Sequence, residues 1–484
     1  MADRDRSASG FERATGPRAR IGLVAGPLLF AGMLALGTPA GLEPDAWRSA
    51  AVGALMATWW ITEPIPLPAT ALLPIALFPL LGVGDPAEAA APYAHPLIFL
   101  FLGGFLLALA MERWELHRRI ALAILGRTGT RPRGIVAGFM ATAGLLSMGI
   151  SNTATTLMLL PIGISVLRLT EGRKTGSFGA ALMLGLAFGA SVGGVATLIG
   201  TPPNALTAAF LEEAYGVRIG FARWLLIGLP LVAVALPATW LLLTRVAFRL
   251  PPGRIPGVGR LIEAERDELG PMSPAERRVS IVFAITAAAW VTRPLLERAI
   301  PGLSDAGIAI LAGIALFLVP AREGDRLLNW RWARRLPWGV LILFGGGLSL
   351  ASAVDRTGLA AWLAESTGGL AGSPYIAVVL AVVVATILFS ELASNTASAA
   401  TFLPVVGAVA VTMGVDPLLL VIPAGLAASG GYMLPVATPP NAIVYGSGAV
   451  TVPQLVRAGG LLDLLFAVLV PLAAVLLVAP LFGG

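Results

Sequence analysis

Cysteine is absent from the chain, which excludes disulfide frameworks, thiolate nucleophiles and sulfur-ligated metals. Histidine occurs twice, at His95 and His117, too rarely for an ordinary imidazole metal site. Charge is scarce at 12% of residues, and paired aspartate motifs of the kind that hold magnesium in polytopic transferases are missing at membrane depth, which argues against a membrane enzyme. In their place, 57% of the residues are hydrophobic, in many runs long enough to cross a bilayer. That Leu, Val and Ile content excludes a disordered or collagen-like chain, and a single globular core has no use for so many apolar stretches broken by charged loops. The chain therefore reads as an all-α polytopic membrane protein, with lipid as its surroundings.

The net charge of +6 is not the footprint of a nucleic-acid partner, because the basic residues mark one side of a membrane. We read about 11 transmembrane helices plus two re-entrant hairpins, at 134–167 and 374–413. On that reading 27 of the 33 Lys and Arg fall in alternate loops and six in the opposite ones. The positive-inside rule then places the N-terminus in the cytoplasm and the C-terminus outside, in a plasma or inner membrane. Residues 1–20 form a cytoplasmic, Arg-rich tail and 21–48 a first transmembrane helix, read as an uncleaved anchor with a cleaved leader as the alternative. A first repeat covers 49–247, a cytoplasmic linker rich in proline, glycine and charge covers 248–278, and a second repeat covers 279–484.

The repeats are visible as text. "SMGISNTATTLMLLP" at 147–161 returns as "SELASNTASAATFLP" at 390–404, and "LGGFLLALAMERWEL" at 102–116 faces "GGGLSLASAVDRTGL" at 345–359, both at an offset of 243. "GTPPNAL" at 200–206 returns as "ATPPNAI" at 437–443, at an offset of 237. Five crossings and one hairpin per half turn the second copy upside down, and such inverted repeats mark secondary transporters with a site near the midplane.

Polar backbone at membrane depth survives only when buried in protein or lining a cavity. Ser151, Asn152 and Thr153 are expected to open the returning arm of the first hairpin, and Ser394, Asn395 and Thr396 that of the second. Thr201-Pro202-Pro203-Asn204 and Thr438-Pro439-Pro440-Asn441 break the spans 178–209 and 418–447, since proline starts a helix but ends the preceding one. Four helix N-termini converging on one region suit an anion, and the carbonyls that end each preceding arm suit a hard cation such as sodium. Small polar residues that merely let helices pack are the competing reading; two copies in register, each with a downstream TPPN, weigh against it.

"SNTATT", "SNTASA", both "TPPNA" blocks and "WWITEPIPLPATALLPIALFPLLGV" at 59–83 resemble the divalent anion/sodium symporter family, the dicarboxylate, citrate and sulfate carriers, from about residue 50 to the end. The resemblance implies a first sodium site around Ser147, Ser151, Asn152 and Gly200 and a second around Ser390, Ala393, Asn395 and Ala437, some offering only backbone carbonyls. It implies substrate contacts from Ser151, Asn152, Thr153, Ser394, Asn395, Thr396, Thr438 and Pro439. It also implies a homodimer in which a transport domain moves as an elevator against a scaffold. The tips carry no Arg, Lys or His, which favours sodium symport over exchange. A ligand with two separated carboxylates fits the two tips, so C4-dicarboxylates such as succinate, malate or fumarate lead. Citrate, sulfate, exchange and proton coupling stay open, as does a channel sharing these hairpins.

Other polar residues are read as structural. Glu391, opposite Met148, is expected to make a hydrogen bond rather than carry a proton. Glu63 is expected to cap a turn, His95 and His117 to face water or headgroups, Glu112-Arg113 and Asp355-Arg356 to form helix-end ion pairs, and the tryptophans to lie mostly near interfaces.

Overall fold

The computed structural model describes residues 16–170, 177–250, 252–322, 324–366 and 374–482. Among them, eight helices are long and apolar enough to cross a membrane. Prolines open many of the helices, at Pro17, Pro44, Pro96, Pro132, Pro202, Pro274 and Pro439, where the missing N–H has no helical partner to lose. Pro17 thus starts the first helix, Pro17–Leu36, four residues before the expected start at residue 21. Residues 1–15 lie outside the described part.

Two helical hairpins and two interrupted helices form the centre. The first hairpin pairs Pro132–Ser147 with Asn152–Arg168, and the second pairs Tyr375–Leu392 with Asn395–Thr412. The first interrupted helix runs Phe178–Gly194 and resumes at Pro202–Tyr215; the second runs Leu418–Ala428 and resumes at Pro439–Gly446. Each resumed half crosses to the other repeat. Pro439–Gly446 packs on Phe178–Gly194 and Asn152–Arg168, while Pro202–Tyr215 packs on Asn395–Thr412 and Leu418–Ala428. This interlock sets each resumed half beside the hairpin of the other repeat.

Glycine permits the close approaches. Pro132–Ser147 lies along Phe178–Gly194, where a Cβ on Gly189 would meet the Met140 carbonyl at 2.8 Å and one on Gly193 would overlap the Gly144 backbone. Pro96–Arg113 packs against Asp305–Leu318, with Gly103 directly over the Ala309 backbone. Small residues at crossings let backbones touch, so dispersion and helix packing replace the hydrophobic force that lipid does not supply.

Several expectations change. The segment 248–278 holds the amphipathic helix Val258–Leu269, with Val258 and Ile262 buried and its charges on the other face. Arg118 reaches Glu265 at 2.6 Å and Glu268 at 3.0 Å, and Arg119 grips both oxygens of Glu276, so these charges tie elements together. Glu112 pairs with Arg335 and Arg113 with Asp325, while Arg356 pairs with Glu88; the adjacent acid and base do not pair with each other, because neighbours on a helix point apart. His95 is 8% exposed and caps Pro96–Arg113 by accepting from the Leu97 N–H, contrary to the water-facing expectation. His117 is half-buried, with its ring nitrogen 3.0 Å from the Met111 carbonyl. Trp60, Trp224 and Trp290 are fully buried, each donating its indole N–H to a carbonyl, which frees them from the interface.

Replacing Gly193 by Ala forces the Gly144 backbone aside, and we expect a loss of about 1–3 kcal/mol, read as a lower thermal midpoint in detergent. Gly32→Ala, in a helix interior with open space around it, is the control and leaves the midpoint unchanged or raised. Equal behaviour of the two variants would refute the close-packing account.

Candidate functional site

Each hairpin turns through a serine cap. Ser151 Oγ accepts from the Ala154 N–H and Ser394 Oγ from the Ala397 N–H, both at 3.2 Å, so Asn152-Thr153 and Asn395-Thr396 occupy first helical turns. Thr438 caps its half-helix by accepting from the Asn441 N–H at 3.3 Å; Thr201, at the equivalent place, makes no such bond. Ser151 is exposed, and Asn152, Thr153, Ser394, Asn395 and Thr396 are half-buried, so the tips retain an open face. Thr438 is buried and Pro439 exposed.

The breaks are held by one asparagine each, at the end of TPPN. Asn204 Nδ2 donates to the carbonyls of Gly194 (3.2 Å), Val195 (3.2 Å) and Thr197 (2.8 Å). Asn441 Nδ2 reaches the carbonyls of Gly431 (3.4 Å), Tyr432 (3.4 Å) and Leu434 (3.1 Å). Donor and acceptors all recur at the offset of 237. Reading TPPN as a helix breaker missed this role; the signal for it was an amide residue repeated in register beside each break.

Oxygen atoms gather where tip and break meet. A Cβ on Gly194 would lie 2.6 Å from Asn152 Oδ1 and 3.0 Å from the Gly200 carbonyl, and one on Gly200 would lie 2.9 Å from the Ser147 carbonyl and overlap that of Gly194. In the second half a Cβ on Gly431 would lie 3.1 Å from the Ser390 carbonyl oxygen and 3.5 Å from the Ala437 methyl carbon. Ser147, Asn152 and Gly200 are thus brought together around Gly194, and Ser390 and Ala437 around Gly431, two glycines that the sequence reading overlooked. Among the described residues, no backbone N–H or side chain donates to the carbonyls of Ser147, Gly200, Ser390 or Ala437. Ser147 Oγ, Asn152 Oδ1 and Asn395 Oδ1 are buried and unpartnered as well. Unbonded oxygens without nitrogen or sulfur are the donor set of a hard cation. Ala393 and Ser394 lie in the second turn beside Asn395. The two clusters are not joined by a direct hydrogen bond between tips among the described residues; the ring contact of Phe188 with Tyr432, centroids 5.4 Å apart, links the halves.

Tip and break are tied at equivalent positions with reversed chemistry. In the first half the Thr197 hydroxyl donates to the Met148 carbonyl at 2.5 Å. In the second, the side chain at the Met148 position is Glu391, whose carboxylate accepts from the Met433 and Leu434 N–H groups at 2.8 and 2.9 Å. Glu391 is therefore bonded within the structure, as its sequence context implied. Glu63 ends Pro44–Thr62 in the left-handed conformation, φ 49°, as a cap.

These features define a mostly helical polytopic membrane transporter fold, with a short strand pair at Pro320–Arg322 and Asp325–Arg326. Two solved structures share it: the YdaH transporter of Alcanivorax borkumensis (TM-score 0.55, 16% identity, covering 81% of this chain and 86% of that one) and MtrF of Neisseria gonorrhoeae (TM-score 0.61, 14% identity, 97% and 96%). The family described as "Sodium:sulfate symporter transmembrane region" matches residues 19–483, and the chain belongs to that family. Curated relatives include the sodium-dependent dicarboxylate transporter SdcS of Staphylococcus saprophyticus, 41% identical over 477 residues (96% of this chain, 92% of the relative). SdcS of Staphylococcus aureus is 41% identical over 464 residues (93% and 89%).

Asn441→Ala strips donors from three buried carbonyls, and each unsatisfied group costs about 1–3 kcal/mol. We expect a lowered thermal midpoint, and the same loss in Asn441→Asp, whose carboxylate has the shape but cannot donate. A wild-type midpoint in Asn441→Asp would remove the staple from the account.

Proposed function

We propose that the protein is a sodium-coupled symporter that imports a di- or tricarboxylate anion, with C4-dicarboxylates such as succinate, malate and fumarate preferred. The observation that carries this reading is the pair of oxygen clusters, each built from unbonded carbonyls beside a capped helix N-terminus. Carbonyl ends attract the cation, while N–H ends, each worth roughly half a positive charge, attract carboxylates. The curated relatives named as sodium-dependent dicarboxylate transporters support the same ion and substrate class.

In this reading Ser147, Ser151, Asn152 and Gly200 hold one sodium and Ser390, Ala393, Asn395 and Ala437 another. Ser151, Asn152, Thr153, Ser394, Asn395, Thr396, Thr438 and Pro439 meet the substrate. Sodium binds first, because the tips carry no fixed cation and the dianion needs the ions' charge. Moving a dianion into a cell at −100 mV costs about 4.6 kcal/mol, and each sodium returns about 2.3, so two ions cancel the electrical cost.

The chain crosses the plasma membrane 11 times in two inverted repeats, 49–247 and 279–484, with the N-terminus in the cytoplasm and the C-terminus outside. It works as a homodimer, and its hairpins and broken helices move together as an elevator against the scaffold. Sulfate transport on this same site is the second reading, favoured by the description of the matched family, and citrate is a further alternative.

Radiolabelled succinate uptake into proteoliposomes tests this, with an inward sodium gradient against choline at equal osmolarity and pH. We expect saturable, sodium-requiring uptake that falls at least about tenfold in folded Asn152→Ala and Asn395→Ala proteins, the loss of one or two charge-assisted contacts. Sodium-independent counterflow against internal succinate would make the protein an exchanger.

A further inference from the structure

The break in the second half carries three polar side chains that the first half does without. Glu391 holds the Met433 and Leu434 N–H groups with its two carboxylate oxygens. Asp463, on the helix Val452–Ala473, lies against Glu391 and beside the backbone of Gly431 and Tyr432. Its side chain is buried at 7% exposure and makes no hydrogen bond of ordinary length, with the Glu391 carboxyl and the backbone of Gly431 and Tyr432 as its nearest polar neighbours. The Tyr432 hydroxyl, on a fully buried residue within electrostatic reach of both acids, is unpartnered too.

The duplicated chain supplies its own control. At the offsets that align the halves, Glu391 stands opposite Met148 and Tyr432 opposite Val195. The helix that follows each break touches it through a glycine: a Cβ on Gly228 would meet the Val195 and Ala196 carbonyls at 2.7 and 2.5 Å, and one on Gly459 would overlap the Tyr432 carbonyl and lie 2.5 Å from the Met433 nitrogen. That register sets Asp463 opposite Val232, which is also buried. Met148, Val195 and Val232 therefore complete the same junction with apolar side chains, and the fold does not require the acids. Two carboxyl groups in contact at membrane depth are expensive unless a positive charge joins them.

Resting on the sodium-coupled reading above, we infer that Asp463, Glu391 and Tyr432 form a further sodium site at the second break. Asp463 and the Tyr432 hydroxyl supply oxygen ligands, and Glu391 supplies the second negative charge while it holds the loop. Oxygen-only ligands suit sodium, and the neighbouring N–H groups from Gly431 to Leu434 moderate the net negative charge. An ion here touches the hairpin, the break and the following helix at once, so its binding fixes the second tip relative to the break before substrate arrives. Carried with a dianion and two other sodium ions, it adds one net positive charge per cycle.

Proteoliposome flux with ²²Na and labelled succinate tests the site. We expect wild type to move one more sodium per succinate than Asp463→Asn, and an inside-negative potential to accelerate wild type but not the variant. Tyr432→Phe, which keeps the ring packing against Phe188 and Phe466, is expected to raise the half-saturating sodium concentration by up to roughly tenfold, and it serves if Asp463→Asn does not fold. Sodium-coupled uptake with the same flux ratio, voltage response and sodium dependence in these variants would overturn the site and leave the symport reading standing. An unchanged sodium ratio with a new response to the pH gradient would assign the pair to a proton and equally overturn it. Wild-type uptake indifferent to sodium would instead remove the symport reading on which the inference rests.

Discussion

The structure depends on satisfying backbone polar groups where helices stop inside a membrane. A helix that ends in hydrocarbon strands several carbonyls and N–H groups, each costing several kcal/mol. Asn204 and Asn441 meet that demand, each spreading one amide over three carbonyls of its break. With those carbonyls held, the remaining oxygens at Ser147, Gly200, Ser390 and Ala437 stay free without the break collapsing. The same device that makes the interruption affordable also decides which oxygens are left for a ligand.

The two halves solve one packing problem with different side chains. At the tip–break junction the first half uses the Thr197 hydroxyl on the Met148 carbonyl, and the second uses the Glu391 carboxylate on two N–H groups. Glycines at 228 and 459 admit the following helix in both. A duplicated chain therefore separates what the architecture needs, which recurs, from what one half adds, which does not. Glu391, Tyr432 and Asp463 belong to the second kind.

Most of the centre was legible because its signals are local. Ser151 and Ser394 announce helix starts by their capping chemistry, and the prolines of TPPN stop one helix and open another. The position of His95 at a membrane edge suggests water or headgroups, and only tertiary packing against Glu212, 3.8 Å away, buries it. The helix Val258–Leu269 was hidden for the opposite reason: its charges read as a solvated linker until Arg118 is seen bridging Glu265 and Glu268.

By itself the sequence determined the class of protein, the repeated motifs and the positions of the caps and breaks. Each of these follows from composition, periodicity or residue-specific backbone preference, all of which act over a few neighbours. Only the tertiary structure decided which oxygens converge, because Gly194 meets Asn152, and Asp463 meets Glu391, across separations that no local rule spans. Those meetings are set by glycine-lined helix crossings and by half-helices that pack on the opposite repeat. Long-range packing chooses among the many pairings that the same local signals allow.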